Sequence, residues 1–159
     1  FIAQMVADKI DEVRDQYDSL FVAYGDCGTS GELDAVLKAR GIERLPGAHC
    51  YEFLAGDDLY HQLQDDEPGT FYLTDFLARH FERLVLGELG LDKYPELKDS
   101  YFAHYTRLIY LAQTDSDDLN RRAQAAADYL GLNYVRIKTG TGAMQPVLDR
   151  AMQEAMCHG

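Results

Sequence analysis

Apolar residues recur at helical spacing from the first residues of the chain. Ile2, Met5, Val6, Ile10 and Val13 in "FIAQMVADKIDEVRDQY" line one face, which predicts an opening helix. The pattern then shortens. "SLFVAYG" reads as a short buried strand, and "GELDAVLKARG" as a helix with Leu33, Val36 and Leu37 on one face and Gly41 closing it. "GTFYLTD" predicts a second strand, with Thr74 or Asp75 placed to cap the helix "FLARHFERLVLGELG". "KYPELKDSYFAHY" predicts another helix, with Pro95 in its first turn and Leu97, Tyr101, His104 and Tyr105 as its stripe. "RLIYLAQTD" is a third strand, and "SDDLNRRAQAAADYLG" the clearest helix, with Leu119, Ala123, Ala126, Ala127 and Leu130 aligned and Gly131 at its end. "NYVRIKTG" supplies a fourth strand, and a last helix runs from about Pro146.

Strands alternating with helices through short glycine-containing turns predict parallel pairing and right-handed crossovers. The expected class is α/β: an open, doubly wound, mostly parallel sheet in a three-layer, Rossmann-like arrangement. Three segments, "FVAYGDCGTSGELDAVL", "FYLTDFLARHFERLVL" and "IYLAQTDSDDLNRRAQAAA", repeat the order strand, polar turn with Asp, helix. In such sheets ligands bind beyond the carboxyl ends of the strands. The turns at 26–31, 74–75 and 113–115 are therefore expected to converge on one rim.

Length and charge narrow the reading. The 159 residues, 47% hydrophobic and 26% charged, suit a single domain spanning 1–159. Phe1 opens directly on the helical pattern, so an upstream strand–helix segment is expected to be missing. Fifteen basic against 27 acidic residues give a net charge of -12, which argues against nucleic acid as a partner. No apolar run nears the roughly 20 residues that span a bilayer, and no signal-peptide pattern is present, so the expectation is a cytoplasmic protein without a membrane partner. The three cysteines are odd in number and widely spaced, which argues against a disulfide framework.

The glycine-rich turn "AYGDCGTSGELDAVL" matches no nucleotide pattern. Gly25, Gly28 and Gly31 are spaced G-x-x-G-x-x-G rather than G-x-G-x-x-G, and no Lys follows as in a phosphate loop, so neither NAD nor ATP is implied. Cys27, between a strand and a helix, is either a small packing residue or a thiol activated by helix-end amides. "PGAHCYEF" adds His49, Cys50 and Glu52. With Cys27 these offer two thiolates, an imidazole and a carboxylate, the donor types of zinc or another transition metal. The spacing is not that of a closed zinc site: on an extended segment His49 and Cys50 point apart, whereas on a helix His49 and Glu52 share a face. Asp26, Thr74 and Asp75 would stand behind those ligands. Two other uses stay open. One is Cys–His nucleophilic catalysis, with His49 or His80 as base and Asp26 or Asp75 orienting it. The other is metal-free binding of a small anionic metabolite by turn amides at Gly28, Gly31, Gly140 and Gly142. For His80 and His104, among aromatics on predicted helices, packing or capping is the plainer role, and Cys157 reads as a tail thiol.

At "FVAYGDCGTSGELDAVL", "ERLPGAHCYEFLAG" and "EPGTFYLTDFLARHFERLV" the chain resembles a bacterial and archaeal family, DUF1638, a domain of unknown function. The resemblance covers nearly all of the chain to about residue 150. It implies a further N-terminal segment bearing a strand and a Cys-Gly-Ala-Leu type motif, and a shared site at Asp26, Cys27, His49, Cys50, Glu52, Thr74 and Asp75. It also implies a link to one-carbon or metallocofactor metabolism, as an accessory to corrinoid-dependent methyltransferases. No cobalamin-binding D-x-H-x-x-G motif occurs.

Overall fold

The computed structural model describes residues 2–45, 47, 49–142 and 144–157. They form two compact units, one of residues 1–53 and 142–159, the other of residues 54–141. Both are α/β with parallel strands.

In the first unit, helix α1 (Ile2–Val13) buries Ala3, Ala7 and Ile10; of the predicted stripe only Ile10 is fully buried, while Ile2 and Met5 are exposed. Strand β1 (Phe21–Val22) leads through the glycine turn into α2 (Glu32–Lys38) and then β2 (Glu43–Arg44), which pairs parallel to β1. Ala3, Ile10, Leu33 and Leu37 form the apolar centre, with Val22 and Tyr24 against it. Helix α3 (Cys50–Ala55) starts in this unit, and α8 (Met144–Cys157) returns to it.

The second unit has three layers. Strands β3 (Thr70–Thr74), β4 (Arg107–Ala112) and β5 (Asn133–Lys138) lie side by side in that order, all parallel. Side chains alternate across a strand. Leu73, Leu108, Tyr110 and Ala112 therefore enter one core with Ala78 and Phe81, which follow β3, and Leu119, Ala123 and Ala126 of α7 (Asp117–Leu130). Tyr72 points the other way and meets Tyr60 of α4 (Asp57–Asp66), with ring centroids 5.6 Å apart. Arg107 ties that layer to the sheet, donating to the Leu63 carbonyl at 2.6 Å and to Asp66 at 2.8 Å. The open, doubly wound parallel arrangement expected from the sequence is thus present.

Several elements differ from expectation. Strand β2 and helices α3 and α4 carry no clear sequence signal and were not anticipated. The helix expected over 76–90 is two pieces: α5 (Asp75–Arg79), capped by Thr74 Oγ1 accepting from Leu77 N at 3.3 Å, and a π-helical stretch, Glu82–Gly87. "KYPELKDSYFAHY" forms only a 3-10 turn, Pro95–Leu97, and the short α6 (Lys98–Tyr101). Its supposed stripe is exposed at Leu97, Tyr101 and Tyr105, and Phe102 enters the core instead. Tertiary packing overrode the periodicity there. By contrast α7 matches its sequence reading: Ser116 Oγ caps it through Leu119 N, and Gly131 closes it with φ +74.

Candidate functional site

The glycine turn after β1 is built around Asp26. Its carboxylate accepts from the Thr29 hydroxyl and from Gly31 N at 3.1 Å, and its carbonyl accepts from Thr29 N at 2.8 Å. Those bonds, the Thr29 hydroxyl first, hold the Asp26 carboxyl below the usual range. Ser30 and Gly31 both take positive φ, 52 and 83, and α2 starts directly after them. The turn therefore carries its own anion: the Gly31 amide, one of the candidate donors for a phosphate, is already bonded to Asp26. Gly140 N likewise donates to the Ala112 carbonyl at 3.2 Å.

Beside this turn lies the cysteine pair. Cys50 begins α3, and its backbone N–H, one of the amides a helix start leaves without an internal acceptor, donates to Cys27 Sγ at 3.0 Å. The Cys50 thiol donates to the same sulfur, and this bond is the largest of the effects that bring Cys27 from an ordinary value near 9 down to about 6. Burial opposes the shift; the Cys50 N–H, the Cys27 backbone and the proximity of His49 assist it. The Cys50 thiol moves the opposite way, because its proton is held by Cys27, burial disfavours its charge and a neighbouring thiolate repels it. The pair behaves as one thiolate and one thiol. Both cysteines are free and half-buried.

Three supports hold the sulfurs in place. Gly25 is buried beneath them, and a Cβ there would meet Phe53 Cε1 at 3.2 Å, Cys27 Sγ at 3.6 Å and Cys50 N at 3.8 Å. Tyr24 Oη donates to the Cys27 carbonyl at 3.2 Å. Arg44 grips Asp34 with two nitrogens, at 2.6 and 2.9 Å, and donates to the carbonyls of Leu45 and Gly47 at 2.7 and 3.1 Å, which fixes the segment leading to Cys50. Sequence reasoning missed Gly25 and Arg44 as supports. A glycine two residues before a cysteine is a usable signal; an arginine after a two-residue strand is not.

His49 is exposed, its ring 6.4 Å from that of Tyr51, and the Glu52 carboxylate lies against Gly47. Among the described residues, no group of three or more His, Cys, Asp and Glu side chains is placed to hold a metal ion. The structure thus gathers two of the four expected ligands, Cys27 and Cys50.

Thr74 and Asp75 belong to the second unit. There the buried Asp75 carboxylate accepts from Tyr110 Oη at 2.7 Å, Gln113 N at 3.0 Å, Thr114 N at 3.0 Å and Thr114 Oγ1 at 2.6 Å. Asp75 N in turn donates to Gln113 Oε1 at 2.8 Å. Two of the three turns expected on one rim, 74–75 and 113–115, are clasped together by this carboxylate. The Tyr110 hydroxyl is pushed above its ordinary range, first by burial and then by the Asp75 carboxylate. His80, the other candidate base, also lies in the second unit, edge-on to Phe76 at 4.9 Å. The Cys157 side chain lies outside the described residues.

Parallel strand–helix–strand units define the class: an open α/β protein. Residues 1–148 match the family described as "Protein of unknown function (DUF1638)", and the chain belongs to that family. No curated protein and no solved structure matches the chain. Among the described residues, no helix is long and apolar enough to cross a membrane.

Proposed function

We propose that Cys27 and Cys50 form the core of a binding centre for a thiophilic cation of the zinc type, with His49 and Glu52 as the nearest further donors. The observation that carries this reading is the meeting of two sulfurs from distant segments, with Cys50 N donating to Cys27 Sγ at 3.0 Å. A proton held between two sulfurs occupies ground that a cation can take, and metal binding to thiols releases such protons. His49 and Glu52 flank Cys50 at the start of α3, so adjustment of one helical turn can bring either to the metal. A cation with two or three protein ligands keeps a position for a small-molecule thiol. That fits the one-carbon context suggested by the family resemblance, including an accessory role beside corrinoid methyltransferases.

Elemental analysis of protein purified without chelator tests the reading, with Cys27→Ser and Cys50→Ser beside it. Near-stoichiometric metal, lost in both variants, is expected. Cobalt(II) added to the metal-free protein should give a sulfur-to-metal charge-transfer band. Wild-type protein that holds no metal and gives no cobalt band would overturn it.

One observation favours a second reading: only two ligands are gathered among the described residues. A metal-free Cys27 thiolate could act directly as a nucleophile, with His49, of the two candidate bases His49 and His80, in the same unit. Binding of a small anion at the glycine turns is less favoured, because Gly31 and Gly140 already use their amides internally.

A further inference from the structure

The second unit holds a groove of about 410 Å³ where the segment from Ala78 to Leu86 passes α7. Its charge is unlike that of the chain. The protein carries -12 overall, yet Arg79, Arg83 and Arg122 all line this one groove, against a single lining carboxylate, Glu82. Arg122 is held by Asp118 at 2.7 Å. Arg79 and Arg83 form no ion pair among the described residues, and both line the groove. Helix α5 ends at Arg79, so its carbonyl end alone would repel an anion. The guanidinium groups reverse that field. Leu86, Phe81 and Ala126 add apolar lining to the same groove.

The backbone adds an independent observation. Directly after Arg79 the chain leaves α-helical geometry, and Glu82–Gly87 is π-helical. Single π-turns are rare and concentrate at functional sites, because the wider turn is retained only where it places side chains that an α-helix would not. Arg83 and Leu86, one charged and one apolar wall of the groove, both stand on that turn.

We propose that this groove is a binding site for a small phosphate monoester, with Arg79 and Arg83 taking the phosphate, Arg122 facing it across the groove, and Leu86 and Ala126 supporting an apolar body. The guanidinium fork suits a dianionic phosphate, which can accept paired hydrogen bonds from two arginines. The volume lies within the range of small-ligand sites. The site lies in the unit that does not hold the cysteine pair, and it does not depend on the metal reading.

Phenyl phosphate is the probe, followed by isothermal titration and amide chemical shifts, with inorganic phosphate and citrate in parallel. Phenyl phosphate should bind saturably and more tightly than inorganic phosphate, and shifts should centre on residues 79–86 and 122–129. Arg79→Gln and Arg83→Gln should each weaken it by roughly tenfold or more, the scale of a charge-assisted hydrogen bond. Both positions are exposed, so these variants should keep the wild-type circular dichroism and melting temperature. Three results would each overturn the proposal: no saturable binding at millimolar phenyl phosphate, unchanged affinity in the Arg79→Gln, Arg83→Gln double variant, or citrate binding as tightly as phenyl phosphate.

Discussion

Alkylation of the metal-free protein measures the Cys27 environment directly. With its thiol at about 6, Cys27 is half ionised at pH 6 and about nine-tenths ionised at pH 7. An ordinary thiol near 8.5 is about 3% ionised at pH 7 and about 0.3% at pH 6. Thiolate fraction alone would make Cys27 about 30-fold faster at pH 7. A less basic thiolate is also a weaker nucleophile: with a Brønsted slope of about 0.4–0.5, a drop of about 2.5 units costs roughly tenfold or slightly more. The two effects nearly cancel at pH 7, leaving an advantage of about twofold to threefold. At pH 6 the thiolate advantage grows to about 150-fold, and Cys27 should react about tenfold faster than a reference thiol. Acidic pH therefore discriminates better than neutral pH. The assay is iodoacetamide labelling in chelator, with the Cys27 peptide quantified by mass spectrometry from pH 5 to 9. The rate should rise to a midpoint near pH 6 and level off, and Cys50→Ala, which removes the thiol donor but keeps the amide, should move the midpoint upward. A wild-type midpoint at pH 8 or above would refute the reasoning.

The same ionisation affects folding. Because the folded-state value of Cys27 lies below that of an unfolded thiol, its contribution is fully present above about pH 8.5 and is lost as pH falls through about 6. Melting temperature should therefore decline across that window more steeply in metal-free wild-type protein than in Cys27→Ala. Asp75→Asn leaves one oxygen for four donors and turns an amide NH2 toward Thr114 N, which should cost about 2–4 kcal/mol and lower the melting temperature by roughly 5–15 °C. A drop under about 2 °C in thermal unfolding would show that the clasp is not needed. At Gly69 a methyl group would stand 2.4 Å from the His104 carbonyl oxygen, so Gly69→Ala should destabilise by more than about 2 kcal/mol in urea unfolding. Zinc added to metal-free wild-type protein should raise its melting temperature, and should leave that of Cys50→Ser unchanged.

The sequence made the second unit's frame legible because β3 and β4 are buried on both faces and its longest helix is amphipathic and capped at both ends. Residues 107–112 and 117–130 announce themselves by composition, Ser116 and Gly131 by capping chemistry. The π-turn was hidden, since Leu77, Phe81, Leu84 and Val85 fit an α-helical stripe and only packing selects the wider turn. In the site, Cys27 and Cys50 were identifiable as chemistry-bearing residues. Their meeting was not, because it depends on Arg44 holding the Leu45 and Gly47 carbonyls and on a helix that starts at Cys50 without a cap motif. Asp75 was singled out for its place after a strand, and its four donors became visible only once β3 and β4 lay in register. Arg79, Arg83 and Arg122 are unremarkable in the sequence, and only the pairing of two helical segments collects them.

The position of the two cysteines in the chain has a mechanical consequence. Cys27 and Cys50 bracket α2 and β2, so anything that joins their sulfurs, whether a cation or an oxidative cross-link, fastens a loop of 23 residues whose ends now meet through hydrogen bonds alone. By the loop-closure estimate, a covalent link of that length restricts the unfolded chain by about 3 kcal/mol. Occupancy of the centre is thereby wired to the rigidity of the whole segment between β1 and α3, and protease resistance of that segment would report whether the sulfurs are bridged.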